Sequence, residues 1–432
     1  MGRKNRMLKG WSVIVFIVVT LFSPFAFAKY SGGTGDTNDP YLIATPEDLN
    51  DIGNHTEDFN KCFLLVNDIN MASYPGTQFK TIGYYSDISS KPFTGIFDGN
   101  GHTISNLNVK KTSYCGLFGY MTYGTIMHLT LIDPNIIGTV NHTGPLIGWL
   151  LTTTNQSLIY DCHVKGGNIK VSSIYGIYAG GLIGRADGAC QIFKCSAETN
   201  VSGGSQQVGG LIGTFRSGGE MSQCYSASIV NSTDGGSGGL IGSCAGITVS
   251  DSYSTGSVSG TSGLGGLVGF APSSAFFVNC YSATIVSGSG GGFIGQDNND
   301  STYTNCFWDV NVNPTLPGVG DGNRPGVFGK TTDEMQTKST FTDAGWDFVW
   351  ETVNGPNDIW AICEGVSYPK LAWEFKVGDL DNNKDVDFID FATLGNKWLQ
   401  SDSTLYCGGT DLTGNGVVNF EDLDAFVENW LQ

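Results

Sequence analysis

The chain has 432 residues, 62 of them glycine, and its 40 acidic residues outnumber 22 basic ones for a formal charge of −18. Four of the basic residues (Arg3, Lys4, Arg6 and Lys9) lie in the first ten positions, so the chain beyond residue 28 sets 18 basic against 40 acidic residues, a charge of −22. This balance excludes nucleic acid and anionic lipid surfaces, which need clustered Lys and Arg, and it suits an exported protein that holds calcium.

Residues 1–28 form the first predicted element. A basic n-region, an apolar run from Trp11 to Phe22 and the small-residue site Ala26-Phe27-Ala28 make a signal peptide with cleavage after Ala28. The apolar run is too short to cross ~30 Å of hydrocarbon comfortably. No later segment is long enough to span a bilayer, so the processed chain is expected to be secreted or held at the cell surface without a membrane span.

Residues 29–115 read as an N-terminal cap followed by the first β-helix coils. In "ATPEDLNDIGN" Thr45 is an N-cap, Pro46 the first helical residue, and Glu47 and Asp48 lie in the first turn, so a short capping helix is predicted.

From residue 116 to residue 310 the chain repeats. "GGLIG" stands at 180–184, 209–213 and 238–242. The closing glycines Gly119, Gly148, Gly184, Gly213, Gly242, Gly269 and Gly295 follow one another at 29, 36, 29, 29, 27 and 26 residues. Each unit then enters a phrase such as "MSQCYSASIV", which alternates small or apolar with polar residues, as strands do. Short strands at one turn per ~28 residues predict a right-handed parallel β-helix, a solenoid whose coils stack at ~4.8 Å. Glycine serves its corners either by taking positive φ or by letting backbones approach without a Cβ between them. Gly290, Gly292 and Gly295 fit G-x-G-x-x-G, but no helix pattern follows, which excludes a nucleotide loop. Cys195, Cys224, Cys280 and Cys306 each lie eleven residues after a closing glycine, with Ser252 at the matching place. That column predicts a ladder of buried thiols in preference to a disulfide framework. Eleven cysteines in all leave at least one unpaired in a monomer.

Residues 311–376 break the repeat. "GWDFVW", "IWAI" and "YPKLAWEF" predict terminal strands that close the solenoid, with Trp346, Trp350, Trp360 and Trp373 as cap core or, alternatively, as carbohydrate-stacking rings.

Residues 377–432 carry a duplication. "DLDNNKDVDFID" (379–390) places oxygen-bearing residues at positions 1, 3, 5, 7, 9 and 12 of a loop, and "DLTGNGVVNFED" (411–422) repeats the arrangement 32 residues later. Calcium takes six to eight oxygens around one point, and a twelve-residue loop running into a helix turns those positions inward. Each loop precedes a helical pattern with one apolar face: Phe391, Leu394, Trp398 and Leu399, then Leu423, Phe426, Trp430 and Leu431. The fold class expected for the whole chain is mainly β, with a small all-α C-terminal domain of paired EF-hand-like calcium loops.

The phrase "GGLIG…CYSASIV" resembles the GLUG motif of bacterial surface and exported proteins over roughly Gly116 to Val310, and "FTGIFDGNGHTISNLNV" (93–109) resembles opening coils of the same group. This resemblance implies extracellular, repetitive, often adhesive architecture without a defined catalytic site. The duplicated pair resembles a type I dockerin module over about Val377 to Gln432. It implies two calcium ions, one held by Asp379, Asp381, Asn383, the Asp385 carbonyl, Asp387 and Asp390, the other by Asp411, Thr413, Asn415, the Val417 carbonyl, Asn419 and Asp422. It also implies docking to a cohesin-like or cell-surface protein. Lys384 replaces the glycine that Gly416 keeps at loop position 6, and Thr413 replaces an acidic or amide ligand. The first loop, with more carboxylates, is therefore expected to bind calcium more tightly. Phe388-Ile389 and Phe420-Glu421 stand where cellulosomal dockerins carry the small hydroxyl residues that a cohesin reads.

An enzyme is the competing expectation. Between 116 and 310 there are five cations (Lys165, Lys170, Arg185, Lys194 and Arg216), few for a uronate lyase. A glycoside hydrolase needs two carboxylates roughly 5–9 Å apart, whereas Asp187, Glu220 and Asp251 recur about once per repeat, as solvated loop tips do. His55, His102, His128, His142 and His163 show no metal-ligand spacing and read as polar filler. The expected function is a non-catalytic, exported β-helix that presents a long surface to glycan or another cell-surface component, attached to its partner through the calcium module. The alternative is a polysaccharide hydrolase or lyase tethered by that module. Exposed aromatics along one face would favour glycan binding, and a groove with two facing carboxylates would favour hydrolysis.

Overall fold

The computed structural model describes residues 29–139, 142–153, 156–172, 178–204, 207–233, 235–298, 301–349, 353–376, 378–380, 386–400, 409–413 and 417–430. The signal peptide, Trp350, Asp381, Asn383, Lys384, Asp385, Asn415, Gly416 and Leu431 lie outside the described residues.

Each stretch of alternating sequence forms one wall of a parallel β-solenoid, and equivalent side chains stack in register. On the first wall the inward column runs Tyr41, Phe63, Phe97, Ile126, Ile159, Ile192, Met221, Val249, Phe277, Tyr303. A second wall stacks Val109, Ile136, Ile169, Val201, Val230, Val258 and Val286. The third has seven strands, with Phe118, Ile147, Ile183, Ile212, Ile241, Val268 and Ile294 in register. Most of these side chains are fully buried, each stabilising the fold by roughly 1.5–3 kcal/mol relative to exposure. On these three walls each described strand other than those at the ends pairs with a strand on both sides.

The structure assigns the two roles of glycine to different positions. None of the seven closing glycines has a positive φ. What they provide is close approach: a Cβ on Gly213 would lie 2.5 Å from the Gly184 carbonyl oxygen and 2.7 Å from the Ala179 nitrogen. A Cβ on Gly242 would meet the Gly213 oxygen at 2.5 Å. Positive φ falls to other corner glycines, such as Gly188, Gly218 and Gly246 at 86°, 94° and 64°, and to a non-glycine bend at His128, Asp161, Lys194, Gln223, Asp251, Asn279 and Asn305, whose φ values lie between 45° and 53°.

The residue after each bend is Leu129, Cys162, Cys195, Cys224, Ser252, Cys280 or Cys306, and it points inward. The thiols of Cys162, Cys195, Cys224, Cys280 and Cys306 lie 3.2–3.4 Å from the carbonyl oxygen two residues earlier, and the Ser252 hydroxyl donates to the same place at 2.7 Å. A small side chain with one polar hydrogen fits there, which is why Cys and Ser interchange. Nine cysteines of the described residues are free, and Cys363 is disulfide-bonded. Burial pushes the Cys190 thiol up to about 12 and the Cys115 thiol up to about 11.

At the N-terminal end, helix α1 (Pro46–Ile52) forms as the sequence requires, with Thr45 and Asp48 in a reciprocal capping box and Leu49 and Ile52 buried. At the other end the expectation of closing strands needs correction. Val327–Lys330 does add a parallel strand to Cys306–Asp309. The remainder holds two short helices, α2 (Thr332–Met335) and α3 (Lys338–Thr342), and one antiparallel pair, Trp360–Ala361 with Lys370–Leu371. It lies along the solenoid's flank, where Phe341, Trp346, Trp360 and Leu371 share a core with Tyr225, Tyr253, Tyr281 and Phe307 from four successive coils. The aromatic column of the flank supplies the apolar surface on which this segment packs.

The C-terminal residues form α4 (Phe388–Asn396) and α5 (Phe420–Glu428) around a small core of Leu380, Val386, Leu394, Val418 and Phe426. No helix among the described residues is long and apolar enough to cross a membrane.

Candidate functional site

One site lies at the seam between the flank segment and the coils. The flank column reads His163, Ser196, Tyr225, Tyr253, Tyr281 in register. The three tyrosine rings stack at 5.1 and 4.9 Å with planes within 7°. Ser196 is small, and the indole of Trp373 spans the gap, 5.2 Å from the His163 ring and 5.7 Å from Tyr225. Its N–H donates to the Gln223 carbonyl at 3.1 Å. The neighbouring Glu374 accepts from the Tyr253 hydroxyl at 2.8 and 2.9 Å and from the Leu371 N–H at 2.7 Å. Burial raises the Glu374 carboxyl to about 7. The Tyr281 hydroxyl donates to the Pro369 carbonyl at 2.6 Å, and that of Tyr225 to Glu198 at 2.6 Å.

Beside Trp373 opens a cavity of about 420 Å³ lined by Phe193, Lys194, Gln223, Asn357, Asp358, Ile359, Ala372 and Trp373. The volume falls within the roughly 300–1,000 Å³ of small-ligand sites. Apolar and aromatic groups face polar ones, and the polar set holds one cation and one carboxylate. Hydrolysis of a glycosidic bond by paired carboxylates is not supplied by this lining.

The same flank contains Asp161, His163 and Ser196 in hydrogen-bonded sequence, 3.0 Å from carboxylate to ring and 2.9 Å from ring to hydroxyl. That is the order of a hydrolase triad. Ser196 is 1% exposed, with Trp373 spanning the gap above it, so the hydroxyl has no path to a substrate in this arrangement.

A second aromatic concentration surrounds Trp149. Tyr85, Tyr114 and Tyr120 pack on it at 5.0–5.3 Å, the Arg185 guanidinium lies 5.5 Å from its ring, and its N–H donates to Asp187 at 2.8 Å. Burial, Arg185 and Arg216 lower the neighbouring His142 to about 3. Trp149 is half-buried among these groups, and its N–H is already engaged by Asp187. Asp187 and Asp251 are also buried, the first paired with Arg185 and the second bonded to Asn279, which corrects the expectation of solvated loop tips; Glu220 is exposed as expected. His55, Glu57 and Asp58 form a cluster of metal-ligating type, but the Lys29 ammonium already sits 2.6 Å from Asp58 and 3.1 Å from Glu57.

In the C-terminal loops the residues at position 12, Asp390 and Asp422, are fully buried. Asp390 accepts the N–H groups of Leu380 and Asp387 at 2.7 and 2.9 Å; Asp422 accepts those of Thr413 and Asn419 at 2.9 and 2.7 Å. Asp387 and Asn419, at position 9, cap α4 and α5 in the same way. The twofold relation extends to packing. Phe388 meets Trp430 edge-on at 4.9 Å, and Phe420 meets Trp398 at 5.1 Å. Phe388 and Phe420 are nevertheless 75% and 72% exposed, with Ile389, Phe391 and Val427 also exposed. Asp379, Asp411 and Val417 belong to the same described loops.

Of the tryptophans expected in a cap or at a glycan, Trp346 and Trp360 are fully buried core and Trp373 lines the cavity. Phe193, Gln223, Asn357 and Asp358 had no distinguishing signal in the sequence.

The fold and its sites define a mainly β, parallel β-solenoid with a flank-packed segment and a small two-helix module. No family model matches the chain. Halomucin from Haloquadratum walsbyi is 31% identical over 181 residues, which make up 39% of this chain and 2% of halomucin. The "Putative Gly-rich membrane protein" of Evansella cellulosilytica is 29% identical over 175 residues, 38% of this chain and 19% of that protein. The chain thus spans a small part of the curated relatives it matches. The crystal structure of a "putative immunoglobulin A1 protease" from Bacteroides ovatus superposes with a TM-score of 0.55 over 80% of this chain and 96% of that one. At 20% identity the likeness is one of fold.

Proposed function

We propose that the protein is an exported, non-catalytic β-helix that presents its surface to glycan and is attached to a partner through a calcium-loaded, dockerin-like module. The observation that carries this reading is the matched geometry of the two C-terminal loops. Two stretches 32 residues apart bury the same carboxylate, bond it to the same kind of backbone N–H and cap the following helix alike. Oxygen donors without nitrogen or sulfur suit a hard cation. Asp379, Asp381, Asn383, Asp385, Asp387 and Asp390 would hold one calcium ion, and Asp411, Thr413, Asn415, Val417, Asn419 and Asp422 the other. Calcium would supply the cross-link that so small an apolar core lacks. The exposed Phe388, Ile389 and Phe420 suit an apolar partner surface, unlike the hydroxyl-led contact of cellulosomal modules.

Supporting a binding role over hydrolysis, the seam cavity has one carboxylate among its lining residues, and the triad-like Ser196 is covered. Calorimetric titration of the full processed chain with calcium is expected to show two sites, and Asp390→Ala with Asp422→Ala to remove both. An absence of binding at millimolar calcium would remove the tether from this reading. Release of sugar from a polysaccharide panel would replace it with the enzymatic one.

A further inference from the structure

We infer that the seam cavity is a subsite for a neutral pyranose unit, held between the bend column of the solenoid and the flank segment. The inference deepens the glycan-presenting reading and rests on it.

The lining is divided as a sugar is divided. Phe193, Ile359, Ala372 and Trp373 supply apolar and aromatic area for the C–H face of a ring. Lys194, Gln223, Asn357 and Asp358 supply the polar groups. An ammonium only donates, an ionised carboxylate only accepts, and an amide does both. Adjacent hydroxyls, each donor and acceptor together, satisfy that mixture; an inorganic anion or an aliphatic acid does not. Charge points the same way. One Lys faces one Asp, so the cavity is balanced, and the surrounding chain is strongly acidic, which disfavours uronates.

The two sides of the cavity are also fixed before any ligand arrives. Lys194 and Gln223 occupy successive left-handed bends with φ of 53° and 52°, locked by the ladders above and below. The Lys194 ammonium lies 5.5 Å from the Phe193 ring. Opposite them, Trp373 is pinned by its bond to the Gln223 carbonyl, and Asp358 is itself left-handed at 49°. A site assembled from residues about 150 positions apart and held rigid loses little entropy when a ligand binds.

The test uses the full processed chain in calcium. Saturation-transfer NMR and calorimetry are run with glucose, galactose, mannose, N-acetylglucosamine and their β-linked disaccharides, with glucuronate and galacturonate as charged comparators. At least one neutral sugar is expected to bind with a Kd on the order of 1 mM, as its dozen or so heavy atoms allow. Asp358→Ala and Lys194→Ala, both at the rim, should each weaken it tenfold or more, and Trp373→Ala should abolish it. Unchanged affinity in both rim variants, or binding of uronates alone, overturns the inference. If polysaccharides bind wild type and all three variants equally, the cavity assignment falls and the glycan reading stands. If wild type binds no sugar in any form, both fall together.

Discussion

The solenoid and the C-terminal module stabilise themselves in opposite ways. In the solenoid each residue type recurs above its equivalent, so apolar columns are continuous and the backbone N–H and C=O groups of the strands are satisfied by the next coil. In the module five buried apolar side chains enclose a core beside three buried carboxylates, Asp390, Asp411 and Asp422. The first design depends on close backbone contact between coils at every turn. The second, in the proposed calcium-loaded form, would depend on the ions its carboxylates hold. Four experiments break or sharpen this contrast, beginning with the largest expected effect.

If the module holds the proposed calcium, a chelator is expected to melt α4 and α5 outright while leaving the solenoid's thermal transition in place; circular dichroism would show lost helix with retained β signal. A coincident loss of both would mean that the two regions do not differ as argued. Next, Gly213→Val places side-chain atoms against the Gly184 oxygen and Ala179 nitrogen, which cannot retreat without breaking a ladder. A cost of roughly 3–5 kcal/mol is expected from thermal or denaturant unfolding. Smaller again is the effect of pH on the flank. The Glu374 carboxyl rises from an ordinary 4.5 to about 7 in the folded chain, so its protonated form favours folding. That contribution is full below pH 4.5 and is lost progressively as pH rises from there through 7, on the order of 3 kcal/mol. Limited proteolysis of residues 353–376 should accelerate between pH 5 and 8, and Glu374→Gln should flatten the dependence. Last, Cys224→Ser is expected to cost under about 1 kcal/mol, because the hydroxyl can make the bond that Ser252 makes. A drop of several kcal/mol would show that the thiols do more than fill the column.

The sequence made the periodic part legible and left the rest obscure, for one physical reason. Stacking forces equivalent residues into equivalent places, so glycine spacing revealed the coil, and the exchange of Cys224 for Ser252 revealed an inward column. Local chemistry was equally readable, as in the Thr45 cap of α1 and the duplicated acidic loops. The contacts of the flank segment have no period. Trp373 reaches Gln223 across 150 residues, and Ser196 matters only because its smallness leaves room for an indole. The role of glycine was half-legible: letters alone do not say whether a residue is needed for its φ or for its missing Cβ. The bends went to His, Asp, Lys, Gln and Asn, a choice that composition does not announce.

The flank segment also works as a ruler. It leaves the last coil beside Phe307, runs back over Tyr281, Tyr253 and Tyr225, and ends with Trp373 against His163. Inserting one more turn beneath it would displace each anchor by ~4.8 Å from its partner. Turns can be gained or lost without shifting these anchors only on the side toward residue 41, so the stretch under the ruler has a fixed count.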